Sequence, residues 1–355
     1  KIFAQSLGYN PIKLGHTSSK VKKQIYVAYT GGTIGMRPSS KGYVPAAGFL
    51  SETIAKMPEF HRQEMPDFTI NEYQSLIDSA DMSPKDWQQI ADDIKQNYQD
   101  YDGFIILHGT DTMAYTASVL SFMLENLGKP VIVTGSQIPL AQLRSDGQEN
   151  LLNALYLAAN YPIPEVSLYF NNKLFRGNRS RKLDADGFDA FGSPNFPMLL
   201  KAGINIEVKA GKVTPIDQQP LVVSSVTPQP VGVVSLYPGI SAEVIRNILQ
   251  QPVKALILLS YGVGNAPQNP ALLNELKQAN DNGILIVNCT QCLRGKVNMS
   301  GYANGNVLQD VGVLSGGDMT PEAALAKLHY LLSKTLSVPE MKQRLTSNLK
   351  GELTV

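Results

Sequence analysis

Short apolar runs alternate along this chain with longer segments in which apolar residues recur at helical spacing. Phe104 to Leu107 is such a run, of the kind that forms a strand buried on both faces. A polar turn, His108-Gly109-Thr110-Asp111-Thr112, follows it. Met113, Ala117, Leu120, Leu124 and Leu127 then predict one helix, with Asp111 at its cap and Gly128 closing it. Ile25 to Tyr29, part of Phe68 to Ile77, Val131 to Thr134 and Val166 to Phe170 read as further strands. A helix start is marked by Ser83 as cap and Pro84 just inside, and Ser145 to Ala159 is helical by its Leu151, Leu152, Leu155 and Ala158. Between the first strand and Phe68, Arg37 to Gly48 is polar and turn-rich, which predicts a mobile loop holding Tyr43.

The pattern weakens between Gly203 and Pro230, where four prolines cluster, and then resumes. Val231 to Leu236, Ala255 to Leu259 and Ile284 to Val287 read as strands, Ser241 to Leu249 and Thr320 to Leu332 as helices. The expected architecture is α/β, with two doubly wound, mostly parallel-sheet domains, the first larger. Its expected layout is an N-terminal domain over 22–205, a linker over 206–230 and a smaller C-terminal domain over 231–355. Residues 1–21 show no clear periodicity and no signal-like apolar core, and are read as an extension outside the fold, disordered or not native to it.

Composition narrows the function classes. A chain of 355 residues with 43% hydrophobic content can bury two cores. Its formal net charge of +1 argues against nucleic acid or an acidic membrane as partner, and no apolar run approaches the roughly 20 residues that span a bilayer. The two cysteines, Cys289 and Cys292, form a lone C-x-x-C without further ligands for zinc, so ordinary thiols in a reducing compartment are expected rather than a redox pair or metal site. No cofactor is expected.

Chemistry concentrates in two turns. Thr30-Gly31-Gly32-Thr33-Ile34-Gly35 follows the first strand, and Thr110-Asp111 follows Phe104 to Leu107. In open parallel sheets, small ligands bind at the carboxyl ends of strands. The glycine turn fits neither dinucleotide nor Walker spacing, although Gly31 and Gly32 can form an anion nest. There is no G-x-S-x-G elbow, and of only four histidines His16 lies in the extension. A threonine hydroxyl needs a basic partner to attack anything, which leaves a desolvated lysine or a tyrosinate. Lys182 follows a strand on the same side of the sheet; burial would favour its neutral amine, and Asp111 would oppose that. The plainer readings are that Thr110 and Asp111 cap a helix and that Lys182 is a solvated loop lysine.

Tyr29-Thr-Gly-Gly-Thr33-Ile-Gly and His108-Gly-Thr-Asp-Thr-Met113 together resemble the two signatures of the bacterial L-asparaginase family. The likeness runs from about Ile25 to Glu352 and includes Asn150, Lys182 with Asp186-Gly-Phe-Asp-Ala-Phe191, and Gly262-Val-Gly-Asn-Ala266. Tyr26-Val-Ala-Tyr29 and Met113-Ala-Tyr-Thr116 are similar to the cytosolic, type I branch, which implies a cytoplasmic enzyme. The resemblance implies hydrolysis of L-asparagine to aspartate and ammonia by a homodimer or dimer of dimers. Thr33 then falls on the nucleophile, Tyr43 on the loop tyrosine that activates it, and Thr110, Asp111 and Lys182 on the second catalytic cluster. Gly32, Ser79, Ala80, Thr110 and Asp111 fall on the substrate cradle, with Ser79 and Asp111 on the α-carboxylate and α-amino contacts. Asn265 falls on a residue that reaches the neighbouring subunit's site. Ala80 stands where periplasmic members have Gln, which removes one polar contact and leaves the asparagine-over-glutamine preference open, with a weak glutaminase side activity as an expectation. Thr290 falls in the segment where some cytosolic relatives bind a regulatory asparagine. Leu259 replaces the arginine of those relatives, so a weakened regulatory site and hyperbolic kinetics are expected. Two other readings stay open: a related amidohydrolase that releases ammonia inside a larger complex, and a non-catalytic α/β module that binds an amino acid or nucleotide.

Overall fold

A computed structural model describes residues 21–301 and 303–355. The expected extension therefore lies, apart from Val21, outside the described residues, and His16 with it.

The first sheet is assembled from the apolar runs. Its strands are β1 (Gln24–Tyr29), β2 (Asp67–Glu72), β3 (Gly103–Leu107), β4 (Val131–Thr134), β5 (Val166–Phe170), β6 (Lys173–Arg176), β7 (Leu200–Ala202) and β8 (Ile206–Val208). They lie in the order β8-β7-β6-β5-β4-β3-β1-β2. The five from β5 to β2 are mutually parallel, and β6, β7 and β8 add an antiparallel edge. Every residue of β3, β4 and β5 is buried, because helices cover both faces. One face packs Val27, Ile105 and Ile132 against Leu151 and Leu155 of the Gly147–Asn160 helix. The other packs Ala28, Phe104 and Ile106 against Ile90 and Ile94 of the Pro84–Asn97 helix and Leu120 of the Met113–Met123 helix. That second core continues into Ala255, Ile257, Leu285 and Leu328, so the two parts of the chain share it.

The chain moves from β1 to β2 on one side, then crosses to β3 on the other. The strand order thus reverses between β1 and β3, which opens a crevice at their carboxyl ends. The second sheet, β9 (Val231–Ser235), β10 (Ala255–Ser260), β11 (Leu285–Thr290) and β12 (Leu314–Ser315), is parallel and runs in sequence order without such a reversal.

Three expectations need correction. The helix predicted to reach Leu127 stops at Met123. Leu124 and Glu125 instead pair antiparallel with Val222 and Val223, the Ser224 N–H takes the Met123 carbonyl at 2.9 Å, and Tyr330 donates to the Glu125 carboxylate at 2.9 Å. Tertiary partners for the backbone outweigh apolar spacing there. The segment read as a mobile loop, Arg37 to Gly48, is built as an antiparallel hairpin of Met36–Ser39 and Gly42–Pro45 with Tyr43 opposite Pro38. Gly42, at φ +96°, makes its turn, and Ser39 Oγ binds both the Lys41 N–H and the Gly42 carbonyl. The stretch read as a linker, 206–230, gives its first residues to β8 and Val222–Val223 to the pair just described. Among the described residues no helix is long and apolar enough to cross a membrane.

Candidate active site

Two turns meet at the reversal point. Thr30 follows β1 directly, with its hydroxyl on the Leu107 carbonyl at 2.7 Å, so this threonine is tied to the sheet and buried. The chain then passes through Gly31 and Gly32, both at positive φ. A Cβ on Gly32 would stand 2.5 Å from the Gly109 nitrogen, and one on Gly31 only 2.1 Å from the Ile77 carbonyl oxygen. Glycine is required at both places because the backbones nearly touch. The close approach sets Thr33, the first residue of a short 3-10 turn, beside the Gly109–Thr112 turn. Thr33 is half-buried, and its hydroxyl has no hydrogen-bond partner among the described residues.

The second turn carries the cluster. Lys182 Nζ donates to Thr110 Oγ1 and to Asp111 Oδ1, each at 2.9 Å. The lysine side chain is 17% exposed and the aspartate 67%, so the pair spans the mouth of the crevice with its cation inside. Asp111 does not cap the following helix; Thr112 holds that position, and no side-chain bond is made there. Lys182 is likewise no solvated loop lysine, since Arg181–Lys182 is a short strand paired with Phe191–Gly192. Thr112 Oγ1 donates to the Ser79 carbonyl at 2.7 Å, which fixes Ser79 under Gly109. Ser79 is buried in a 3-10 turn, while Ala80 is exposed and gives its N–H to Asp78 at 3.0 Å. Thr33, Ser79, Thr110, Asp111 and Lys182 are thus brought together at one crevice.

Tyr43 is half exposed on the hairpin strand Gly42–Pro45, which lies against the Thr33–Gly35 turn. Asn265 closes the turn after β10 through a backbone bridge to Tyr261. Thr290, at the end of β11, spends its hydroxyl between two turns, donating to the Gly262 carbonyl and accepting the Cys292 N–H. Cys289 and Cys292 are free thiols, and burial pushes Cys289 up to about 12, so no reactive thiolate is available from it near neutrality.

Sequence reading missed Gln137. It follows β4, the neighbour of β3, and accepts the Thr110 hydroxyl proton on Oε1 at 3.0 Å while its Nε2 donates to the Gly187 carbonyl at 3.0 Å. Its backbone N–H and that of Ile138 donate to Asp146, which burial holds above the usual carboxylate range. The signal was present, a polar Ser136-Gln137 at the carboxyl end of a third parallel strand.

His108 is the buried histidine of this turn. Burial lowers its pKa to about 4, and its ring bonds the Gly109 carbonyl at 2.6 Å and Thr116 Oγ1 at 2.7 Å. Its folded value lies below the unfolded 6.5, so the unfolded chain takes up the proton first as pH falls. Stability is therefore full above about 6.5 and lost progressively down to about 4. From pH 7 to pH 5 this one group is expected to remove about 2 kcal/mol. Urea unfolding at both pH values checks it: His108→Asn should lose less on acidification than the native chain. Equal losses would exclude His108 as the acid-sensitive group.

A family model described as "Asparaginase, N-terminal" matches residues 24–214, and one described as "Glutaminase/Asparaginase C-terminal domain" matches residues 230–345. The chain belongs to the asparaginase family. It is 67% identical over 333 residues to L-asparaginase 1 of Escherichia coli (strain K12), covering 94% of this chain and 98% of that one. The crystal structure of L-asparaginase I from Vibrio cholerae O1 biovar eltor superposes with a TM-score of 0.90 at 67% identity, covering 94% of this chain and 100% of that chain. The thermostable L-asparaginase from Thermococcus kodakarensis superposes with a TM-score of 0.83 at 30% identity, covering 94% and 99%. The two-domain, mostly parallel architecture is therefore that of the asparaginase fold.

Proposed function

We propose that this chain hydrolyses L-asparagine to L-aspartate and ammonia through an acyl-enzyme on Thr33. The observation that carries the reading is the Thr110–Lys182–Asp111 cluster, closed at 2.9 Å contacts, near a Thr33 hydroxyl that has no partner among the described residues. Close L-asparaginase relatives support the substrate.

Asp111, mostly exposed at the crevice mouth, suits the substrate's α-ammonium, and Ser79 with the backbone around it suits the α-carboxylate. Held at that end, the side-chain amide lies over Thr33. Thr33 Oγ1 attacks the amide carbon, and N–H groups of the glycine-rich turns face the developing oxyanion. The bond to nitrogen breaks, the threonine proton reaches the leaving nitrogen, and ammonia departs. Water then opens the ester and returns the proton to Thr33. Binding the amino-acid headgroup orients the carbon under attack, which should contribute several kcal/mol of the acceleration. Tyr43 on its hairpin would close over the site and keep bulk water from the ester. A second copy would complete the site through Asn265, the protein acting in the cytoplasm as a homodimer or dimer of dimers.

Ammonia release measured against asparagine and glutamine concentration tests the reading. Asparagine turnover should be hyperbolic and glutamine turnover weak. Stoichiometric binding without turnover would replace catalysis with a binding role, and glutamine preference would favour the ammonia-supplying amidohydrolase.

Thr110→Val keeps the shape of the side chain and removes its hydroxyl. Since that hydroxyl joins Lys182 to Gln137, the variant is expected to lose on the order of 10²- to 10⁴-fold in kcat. Normal turnover would demote Thr110 to a structural turn residue.

A further inference from the structure

The strand that carries Lys182 is only two residues long, Arg181–Lys182, paired with Phe191–Gly192. So short a strand cannot by itself hold a long flexible amine at hydrogen-bond distance from Thr110. Its anchors come from the far end of the chain. Arg179 is buried, with Nε on the Gly351 carbonyl at 2.8 Å, Nη2 on Thr354 Oγ1 at 2.9 Å and Nη1 3.0 Å from Asp318. Asp318 also accepts the Thr354 N–H at 2.8 Å, which closes the fork. Arg181 points its Nε at the Glu322 carboxylate, 3.2 and 3.1 Å from its two oxygens. Glu322 lies in the first turn of the Pro321–Leu332 helix, whose unpaired N–H groups favour a carboxylate there.

Side chains of neighbouring strand residues point to opposite sides. When Arg181 is drawn to Glu322 on one side, Lys182 is aimed to the other, where Thr110 and Asp111 stand. We infer that Arg181 and Glu322 are positioning residues for Lys182, so that the C-terminal part of the chain sets the reach of the amine in the N-terminal site. The inference rests on the asparaginase reading above. Neither residue touches the reacting atoms; they act through the strand.

The test compares Glu322→Ala and Glu322→Gln with the native chain, in kcat and KM for asparagine and in melting temperature. Without its partner, Arg181 releases the strand, and Glu322→Ala should lower kcat by about ten- to a hundredfold. KM should move by less than about threefold, because the headgroup contacts at Asp111 and Ser79 are untouched. Glu322→Gln keeps an oxygen for Arg181 Nε and should retain most of kcat. Arg181→Met, which leaves the helix start intact, should repeat the Glu322→Ala effect. In a Lys182→Met background, Glu322→Ala should cost almost nothing more. A pair that merely stabilises the fold would lower the melting temperature of Glu322→Ala and Arg181→Met and leave kcat at the native value, and that result overturns the inference. Full additivity with Lys182→Met overturns it as well. A native chain that releases no ammonia from asparagine fails the asparaginase reading itself, and the positioning claim falls with it.

Discussion

Thr33→Ala is expected to abolish ammonia release from asparagine, by on the order of 10⁴-fold or more, while asparagine still binds. The size follows from the role proposed for the hydroxyl. The neighbouring threonines do not take over the role of Thr33: Thr30 is bonded into the sheet at 2.7 Å, and the Thr110 proton is directed to Gln137. Binding should survive because the groups suited to the substrate's headgroup, Asp111 and Ser79, lie on other segments. The fold should survive too. Thr33 is only half-buried and its hydroxyl satisfies no other group among the described residues, so its removal should change stability by no more than about 0.5 kcal/mol. Single-turnover ammonia release, a binding isotherm for asparagine and a melting curve measure the three quantities. Full activity in the variant would remove Thr33 from the mechanism, and with it the acyl-enzyme as drawn.

The parts of this site visible from sequence are those set by local pattern. Buried strands such as Phe104 to Leu107 betray themselves by unbroken apolar runs, and Gly31 and Gly32 by a positive-φ turn that glycine favours. From the β-then-α order alone it follows that Thr33 and Thr110 emerge at the same edge of one sheet. What stayed hidden depends on partners far along the chain. Asp111 looks like a helix cap until Lys182, 71 positions away, is placed beside it. The helix after it overruns on apolar spacing because the strand at Val222–Val223, which ends it, cannot be foreseen locally. Gln137 carries no motif of its own; only the adjacency of β3 and β4 makes it a partner of Thr110. The hairpin over Met36 to Pro45 was missed for a different reason: exposed strands of mixed polarity lack the period-two contrast that marks a half-buried one.

Lys182→Met should lower kcat by about 10³- to 10⁴-fold and leave asparagine affinity unchanged or slightly tighter. Methionine keeps most of the side chain's length and its apolar packing, so what is lost is the ammonium. The contacts left behind tolerate that loss. Thr110 keeps Gln137, and Asp111 is 67% exposed and stays solvated without its partner. An ion pair so open to water adds little to stability, and the melting temperature should therefore hold. The sign of the binding change comes from charge: Lys182 and the substrate's α-ammonium would compete for the same Asp111 carboxylate, and an uncharged thioether in place of the lysine would not. A variant with weakened binding and native kcat would make Lys182 a headgroup contact rather than a proton-handling group. Native values of both would return it to the role of a structural strand residue and take the Thr110–Lys182 pair out of the mechanism.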